Sequence, residues 1–294
     1  MLLLWYRFNR SVRAVNLIKT MALLVISSAI VACQNPRLEL EQLALTNNYR
    51  LSDHVFADLP LVQLRTKNIP VNTQRLRVYI EGDGRAWITQ SQPSLDPTPH
   101  HLLMTRLAIA DLEPNVYLSR PCQFLTHKNC SVPLWTSARF GDSILVTMHR
   151  ALDELRKELE NTEFELIGYS GGAAIALLLA AQRDDVTQIQ TVAGNLSPIL
   201  WAQFHKLTPL YNSKDPINYA NNLQYIKQRH FIGELDKNIS IELFQLYIQQ
   251  LSTMANCMER VDVKGADHSR GWESTWPLRV NQPIRCMTKP ELLR

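Results

Sequence analysis

Two hydrophobic patterns alternate along the chain. In segments such as Leu76–Glu81, apolar and polar residues alternate and strand-forming residues are frequent, which predicts a β-strand. In segments such as Asp142–Glu160, apolar residues recur at every third or fourth position, which predicts an amphipathic helix with one buried face. The repeated change from strand to helix predicts an α/β fold, with a mostly parallel sheet and helices on both faces.

These patterns define the expected elements. The predicted strands are Leu76–Glu81, Asn115–Ser119, Glu163–Gly168, Thr187–Ala193, His230–Gly233 and Val261–Lys264. The predicted helices are His101–Leu112, Asp142–Glu160, Ala173–Ala181, Ile239–Leu251 and Gly271–Val280. No linker divides this series, so we expect one domain over residues 73–294, preceded by a polar connector over residues 33–72.

A serine lies where one predicted strand meets the next helix. Gly168-Tyr169-Ser170-Gly171-Gly172 has the pattern Gly-x-Ser-x-Gly, in which small residues permit a sharp turn that exposes the serine hydroxyl at the edge of a sheet. A serine held in this way can attack a carbonyl carbon. The alternative is a glycine-rich helix start in which the serine is only a cap. The flanking strand and helix favour the nucleophile.

A histidine and an acid follow the serine in the chain order expected of its partners. His268 comes just after the last predicted strand, unlike the other seven histidines. Asp236 follows the strand before it, and we predict that its carboxylate orients the imidazole and stabilises the imidazolium. Glu234 is the competing acid, and Asp267 fits a solvated loop. In the alternative interpretation, Asp236 caps a helix and His268 is an ordinary surface histidine.

Main-chain N–H groups are expected to bind the negative oxygen that forms during acyl transfer. One is the N–H of Gly171, the residue after the serine. The second should come from the loop Gly82-Asp83-Gly84-Arg85, where glycines permit a close approach to substrate. We expect the N–H of Asp83, with that of Gly84 as the next candidate. A simple turn is the alternative role of this loop.

Together these motifs resemble the α/β-hydrolase superfamily over roughly residues 74–285. Four segments are similar to a group of poorly characterised bacterial hydrolase lipoproteins. They are Arg120-Pro121-Cys122-Gln123, Gly168-Tyr169-Ser170-Gly171-Gly172, Val192-Ala193-Gly194-Asn195-Leu196 and His268-Ser269-Arg270-Gly271-Trp272. The resemblance implies a catalytic triad of Ser170, Asp236 and His268. The chain has Glu81-Gly82 where many lipases and esterases have His-Gly, which leaves the oxyanion geometry and the substrate class open.

The expected reaction is acyl transfer to water, with a small carboxylic ester as the favoured substrate and no cofactor. A thioesterase, a peptidase or an acyltransferase would use the same machinery, and a non-catalytic binding module could use the same fold. Residues 195–229 lie where such folds carry a cap, and Trp201, His205 and Tyr211 are candidates to line the substrate site. The short length of this region predicts a fairly open pocket.

The positive charge of the chain is concentrated at its N-terminus. The chain has 31 basic and 27 acidic residues, and four of the basic residues but no acidic one fall within residues 1–32. The body that follows is formally neutral. We therefore expect no binding to nucleic acid, which requires a basic patch in the folded part.

The N-terminal segment has the pattern of a secretion signal, with basic residues, the apolar run Met21–Ala32 and a small residue before Cys33. The run is short for a membrane span. Ile30-Val31-Ala32-Cys33 resembles a bacterial lipobox, which implies that residues 1–32 are removed, that Cys33 is acylated and that the protein is sorted to the outer membrane. We expect an envelope protein that faces the periplasm or the cell surface. A plain signal peptide or an uncleaved anchor is the alternative.

Four cysteines remain after Cys33, an even number that suits an oxidising compartment. Of the three possible pairings, local spacing favours Cys122–Cys130 with Cys257–Cys286. Zinc binding is the competing role, but the chain has no Cys-x-x-Cys pair and no His-x-x-x-His pair. We therefore expect two disulfides and no metal site.

Overall fold

An eight-stranded sheet forms the centre of the computed structural model, which describes residues 35–89, 91–160 and 162–294. In chain order the strands are β1 (Tyr49–Phe56), β2 (Leu59–Thr66), β3 (Arg75–Ile80), β4 (Asn115–Leu118), β5 (Glu163–Tyr169), β6 (Val186–Val192), β7 (Lys227–Gly233) and β8 (Met258–Val263). Their spatial order is β1-β2-β4-β3-β5-β6-β7-β8. The β1–β2 and β2–β4 pairs are antiparallel, and every other pair in the sheet is parallel.

Helices connect these strands. They are α1 (Pro36–Thr46), α2 (Leu103–Ile109), α3 (Asp142–Glu158), α4 (Gly171–Ala180), α5 (Pro198–Phe204), α6 (Ala220–Leu223), α7 (Ile241–Gln250), α8 (Trp276–Arg279) and α9 (Lys289–Leu293). Single 3-10 turns occur at Val132–Trp135 and Pro216–Tyr219. The predicted α/β fold with a mostly parallel sheet is confirmed.

Helices cover both faces of the sheet, as alternate strand residues show. In β5, Leu166 belongs to a hydrophobic cluster that includes residues of α3, α4 and α7, whereas Ile167 belongs to a cluster with residues of α1, α2 and α8. All ten residues of α4 are buried, as its uniformly apolar sequence predicts. Helix α4 therefore lies deep in the molecule, directly after the strand that leads to Ser170.

The prediction of a connector over residues 33–72 is wrong for the part that the structure describes. Residues 36–66 form α1 and the β1–β2 hairpin, and β2 pairs with β4 inside the sheet. The hairpin turns at Ala57 and Asp58, which both have positive φ (46° and 68°), as in a type I′ turn. Strand β2 is buried along almost its whole length. The domain therefore includes α1 and the β1–β2 hairpin, which come before residue 73.

Two predicted helices are shorter than expected. The segment His101–Leu112 is helical only over α2, and Gly271–Val280 only over α8. Gly271 has φ of 88°, a left-handed conformation outside the helical region, so residues 271–275 form turns instead. These turns carry the chain away from His268.

Both predicted disulfides are confirmed. Cys122–Cys130 closes the loop after β4, and Cys257–Cys286 joins the start of β8 to the C-terminal segment. The predicted signal over residues 1–32 and the predicted acylation of Cys33 lie outside the described residues. Among the helices that are described, none combines the length and the apolar character needed to cross a membrane.

Candidate active site

Ser170 occupies a sharp turn between β5 and α4. Its φ of 50° and ψ of −122° lie in a region that non-glycine residues rarely adopt, and such a conformation costs on the order of 1–3 kcal/mol. The turn is held by hydrogen bonds from the Ser170 N–H to the Val192 carbonyl (3.1 Å) and from the Asn195 N–H to the Ser170 carbonyl (2.9 Å). The serine is therefore fixed in a strained geometry at the carboxyl edge of the sheet.

The glycines around Ser170 are required by close packing. A Cβ atom on Gly172 would lie 2.4 Å from the carbonyl oxygen of Ile80 and 2.5 Å from that of Glu81. A Cβ atom on Gly168 would lie 2.5 Å from the carbonyl oxygen of Gly172. The start of α4 therefore packs directly against the end of β3, which brings the loop after β3 next to the serine.

His268 connects Ser170 to Asp236 through its two ring nitrogens. The distance from His268 Nε2 to Ser170 Oγ is 3.1 Å, and from Nδ1 to Asp236 Oδ2 it is 2.9 Å. Because an ionised carboxylate only accepts hydrogen bonds, Nδ1 carries the proton that Asp236 accepts. In the neutral imidazole, Nε2 is then free to accept the proton of the serine hydroxyl. The structure therefore brings these three residues together.

Asp236 is buried, and its second oxygen is also used. Its Oδ1 accepts hydrogen bonds from the main-chain N–H groups of Asn238 (2.8 Å) and Ile239 (2.9 Å). These bonds fix the carboxylate relative to the loop after β7. The alternative helix-capping role does not describe this residue, since α7 begins only at Ile241 with Ser240 as its N-cap residue.

The two other candidate acids have different roles. Glu234 Oε2 accepts a hydrogen bond from the Gly265 N–H (2.9 Å). Asp267 Oδ1 accepts from the N–H groups of Ser269 and Arg270, both at 2.8 Å. Both carboxylates stabilise turns beside the site, and Asp236 is the acid that His268 contacts.

Asn238 is a site residue that the sequence analysis missed. Its Nδ2 lies 3.2 Å from His268 Nε2, and its Oδ1 accepts a hydrogen bond from Trp201 Nε1 (3.1 Å). The indole N–H only donates, so the amide oxygen must face Trp201 and the amide NH₂ must face the imidazole. His205 Nε2 lies 2.8 Å from the Asn238 carbonyl oxygen. Trp201 and His205 thus support the loop that carries Asp236.

The loop after β3 places three unused main-chain donors near the serine. The N–H groups of Asp83, Gly84 and Gly171 donate to no residue that the structure describes. The loop contacts the start of α4 closely, because a Cβ atom on Gly171 would lie 2.1 Å from Asp83 Oδ1. The two chain segments expected to supply oxyanion donors are therefore adjacent.

The Arg120-Pro121-Cys122-Gln123 segment holds this loop in place. Arg120 Nη1 donates to Asp83 Oδ1 at 3.1 Å, and Gln123 Nε2 donates to the Gly82 carbonyl at 3.0 Å. Arg139, which the sequence analysis missed, also pairs with Asp83, at 3.2 Å between Nε and Oδ2. The only signal in the sequence was the presence of Arg120 and Gln123 in a segment singled out for its resemblance.

Glu81, the residue that replaces the histidine of many lipases, is buried behind the loop. Its carboxyl group accepts hydrogen bonds from the Gly82 N–H (2.8 Å) and the Tyr117 hydroxyl (2.9 Å). Burial raises the pKa of Glu81 to about 7, against the opposite effect of these two hydrogen bonds. Glu81 therefore gains or loses its charge near neutral pH.

Ser170 and His268 lie at the bottom of an open cleft of about 540 Å³. Its walls combine indole rings, basic side chains and main chain of the loop after β3. The lining includes Arg85, Trp87, His100, His101, Arg139 and Trp201. Tyr211, the third candidate from the cap region, is 80% exposed and does not line it. No group of three or more His, Cys, Asp or Glu side chains suited to a metal ion occurs within the described residues.

The comparisons with known proteins concern the fold. No family model matches the chain, and no curated protein matches its sequence. A Pyrococcus furiosus esterase aligns with a TM-score of 0.57 over 85% of this chain and 94% of its own, at 14% identity. An alpha-beta serine hydrolase homologue from Coxiella burnetii aligns with a TM-score of 0.52 over 83% and 96%, at 15% identity. A serine hydrolase without lid from Xanthomonas campestris gives 0.51 over 81% and 96%, at 13% identity.

These alignments cover most of both chains in every case. Together with the sheet order and the position of the serine turn, they establish that this protein has the α/β-hydrolase fold. At such low identity the likeness does not extend to substrate.

Proposed function

We propose that this protein is a serine hydrolase that cleaves carboxylic esters through an acyl-enzyme on Ser170. The observation that carries the proposal is the continuous series of contacts from Asp236 Oδ2 through the imidazole of His268 to Ser170 Oγ, at 2.9 Å and 3.1 Å. The strained backbone of Ser170 supports it, since such strain concentrates at functional sites.

Each residue has one chemical task in the proposed reaction. His268 Nε2 takes the hydroxyl proton while Ser170 Oγ attacks the carbonyl carbon, and Asp236 stabilises the resulting imidazolium. The N–H groups of Gly171 and Asp83 bind the negative oxygen, with that of Gly84 as the other candidate. The imidazolium then protonates the leaving alcohol. Water, activated by the same imidazole, releases the acid and restores the serine.

A carboxylic ester is the proposed substrate because several solved structures with this fold are described as esterases. The open cleft supports a small ester. A thioester or an amide would use the same residues, and another neighbour is described as an acylaminoacyl peptidase. A series of matched ester, thioester and amide substrates ranks the three classes by kcat/KM.

The test is covalent labelling of the purified protein, with both disulfides formed, by a fluorophosphonate probe. We expect labelling and hydrolysis of 4-nitrophenyl butyrate by the wild type, and loss of both in Ser170→Ala. Ser143→Ala, on the exposed start of α3, is the matched control and should keep both. A label that persists in Ser170→Ala would refute the nucleophile. A folded wild type that takes no label would favour a non-catalytic envelope module.

We also propose that the protein is attached to the bacterial outer membrane by lipid on Cys33, facing the periplasm or the cell surface. The lipobox-like sequence before Cys33 supports this, and so do two disulfides, which persist in an oxidising compartment. Metabolic labelling with a palmitate analogue should mark the wild type and not Cys33→Ala. Equal labelling of the two would contradict the anchor without affecting the proposed hydrolase.

A further inference from the structure

The side chain of Arg139 is a buried cation that donates no hydrogen bond to any residue that the structure describes. Its side chain is only 5% exposed, yet it lines the same cleft as Ser170. Its Nε lies 3.2 Å from Asp83 Oδ2 and forms an ion pair with that carboxylate, but Nε has no hydrogen-bond partner among the described residues. Its two terminal amino groups donate to no residue that the structure describes. The fully buried Nε donor is therefore unused, which is costly, while the terminal amino groups reach the cleft.

The acid beside Arg139 is shared with a second arginine. Asp83 also accepts a hydrogen bond from Arg120, whose side chain is equally buried. One carboxylate therefore faces two guanidinium groups. Glu81 is the other acid nearby, and its ionised form offsets part of this charge through its interaction with Arg120. While Glu81 is protonated, the Asp83–Arg120–Arg139 group thus carries a surplus positive charge at the wall of the cleft.

No other acid on the cleft wall offsets this charge. Besides Glu81, Asp83 and Arg139, the ionisable groups that line the cleft are Arg85, His100, His101, Tyr169 and His268. Arg85 is exposed at the rim, with Nη1 3.4 Å from His100 Nε2. The cleft therefore has the electrostatic character of a site for a singly charged anion.

Aromatic rings hold the Arg139 guanidinium in a fixed position. Its Cζ lies 5.5 Å from the centre of the Phe140 ring and 5.3 Å from that of Trp201. Such contacts stabilise a cation and orient its plane, and a planar guanidinium can bind both oxygens of a carboxylate. The carboxylate of Asp83 lies between the Arg139 guanidinium and Gly171. Because Gly171 follows Ser170, Arg139 is close to the nucleophile.

We propose that Arg139 binds a carboxylate of the substrate, so that the preferred substrate is an ester that carries a negative charge near the scissile bond. This inference rests on the proposed function and adds a substrate class to it. Arg139 acts as a specificity-determining residue, and Arg85 at the rim adds attraction over a longer distance. A phosphate monoester, with more charge than one surplus cation balances, is the less favoured anion.

The test compares pairs of esters that differ by one carboxylate group. On the acyl side, 4-nitrophenyl hydrogen adipate is compared with 4-nitrophenyl hexanoate, and on the leaving-group side 3-carboxy-4-nitrophenyl butyrate with 4-nitrophenyl butyrate. We expect kcat/KM in the wild type to be about tenfold or more higher for the anionic ester of one pair, mainly through KM. The pair that shows the preference identifies the side of the ester that faces Arg139.

The variants separate recognition from support of the loop. Arg139→Gln should bring the ratio of anionic to neutral ester close to one, while Arg139→Lys should keep part of it, since the charge remains but the bidentate geometry is lost. Arg150→Gln, an exposed residue of α3, is the matched control and should keep the wild-type ratio. Added acetate should inhibit the wild type more strongly than Arg139→Gln.

Two results would overturn the inference. One is a wild type with equal kcat/KM for both members of each pair. The other is an Arg139→Gln variant that loses activity on neutral and anionic esters equally, which would make Arg139 a support for the oxyanion loop. If the wild type hydrolyses no ester and Ser170 takes no fluorophosphonate label, the proposed function itself fails, and the missing label distinguishes that outcome.

Discussion

Among single residues, His268 has the most specific environment, because its two ring nitrogens face groups of opposite kind. Nδ1 faces the carboxylate of Asp236, whereas Nε2 faces the Ser170 hydroxyl and the Asn238 amide NH₂. These neighbours select the tautomer with its proton on Nδ1. The selection depends on Asp236 presenting an acceptor, and Asp236 cannot rotate without losing two main-chain hydrogen bonds.

Asp236→Asn should therefore force the wrong tautomer. The amide oxygen of the new side chain must accept from the N–H groups of residues 238 and 239, so its NH₂ group faces His268 Nδ1. The imidazole then carries its proton on Nε2 and cannot accept that of Ser170. We expect kcat for 4-nitrophenyl butyrate to fall on the order of 10⁴-fold with little change in KM. Steady-state kinetics measures both.

Asp267→Asn is the matched control for this experiment. Its oxygen can keep the turn bonds from Ser269 and Arg270, and it does not contact the imidazole. Its kcat should stay within a few-fold of the wild type. If Asp236→Asn also stayed within tenfold, Asp236 would not orient the imidazole.

Glu81 makes stability depend on pH near neutrality. Its pKa is about 7 in the folded protein and 4.5 as an ordinary glutamate. Between these two pH values, Glu81 is protonated in the folded protein but ionised in the unfolded chain. The stability that this proton contributes is complete below pH about 4.5 and is lost as the pH rises through 7. The difference corresponds to about 3 kcal/mol. Above pH 7, the buried and ionised Glu81 therefore lowers the free energy of unfolding.

Glu81→Gln should remove this dependence, because the amide stays neutral. We expect the variant to gain about 3 kcal/mol in unfolding free energy relative to the wild type between pH 4.5 and pH 8.5, measured by urea denaturation at each pH. Glu154→Gln, at an exposed position of α3, should follow the wild-type curve. Parallel curves for Glu81→Gln and the wild type would mean that Glu81 ionises as an ordinary surface glutamate.

At the scale of strands and helices, the β5–α4 unit follows from the sequence almost to the residue. The predicted strand Glu163–Gly168 and helix Ala173–Ala181 are observed as Glu163–Tyr169 and Gly171–Ala180. The sequence here has an apolar run, a turn bounded by glycines and a second apolar run. This order strongly favours a buried strand, a sharp turn and a buried helix. Here local preference and burial agree, which is the condition under which sequence patterns are informative.

The β1–β2 hairpin shows the opposite case. Its turn places Ala57 in a left-handed conformation that Gly, Asn and Asp usually occupy, and it lacks the Asn-Gly or Asp-Gly pair that signals such a turn. Arg139 and Asn238 are inaccessible to pattern analysis for another reason. Their partners, Asp83 and Trp201, are 56 and 37 positions away, and only tertiary packing brings them close. Specific polar contacts of this kind are not encoded by periodicity.

For the whole molecule, parallel strand order explains why the three central residues could be predicted. Ser170 follows β5, Asp236 follows β7 and His268 follows β8. Because β5 to β8 are neighbouring parallel strands, their carboxyl ends share one edge of the sheet. Cys257 lies at the opposite edge, just before β8, whereas Cys122 belongs to the segment that supports the oxyanion loop. The two disulfides thus serve different parts of the molecule.

Removing each disulfide by paired Cys→Ser substitution should separate stability from activity. Chain entropy predicts a loss of about 3.5 kcal/mol for Cys257–Cys286, which spans 29 residues, and about 2.5 kcal/mol for Cys122–Cys130, which spans 8. For kcat/KM we expect the opposite order, with the larger loss in the variant that lacks Cys122–Cys130. Without Cys122–Cys130, Arg120 and Gln123 no longer hold Asp83 and Gly82 firmly, and a small misplacement of oxyanion donors costs up to about 100-fold.

Urea denaturation and ester hydrolysis on the same two variants measure both effects. The wild type in reducing agent is the reference for loss of both bridges. If loss of Cys122–Cys130 left kcat/KM unchanged, the contacts of Arg120 and Gln123 would be sufficient to hold the oxyanion donors without the disulfide. A larger fall in kcat/KM on loss of Cys257–Cys286 would contradict this prediction. The oxyanion loop would then depend more on the opposite edge of the sheet than on the contacts from Arg120, Gln123 and Arg139.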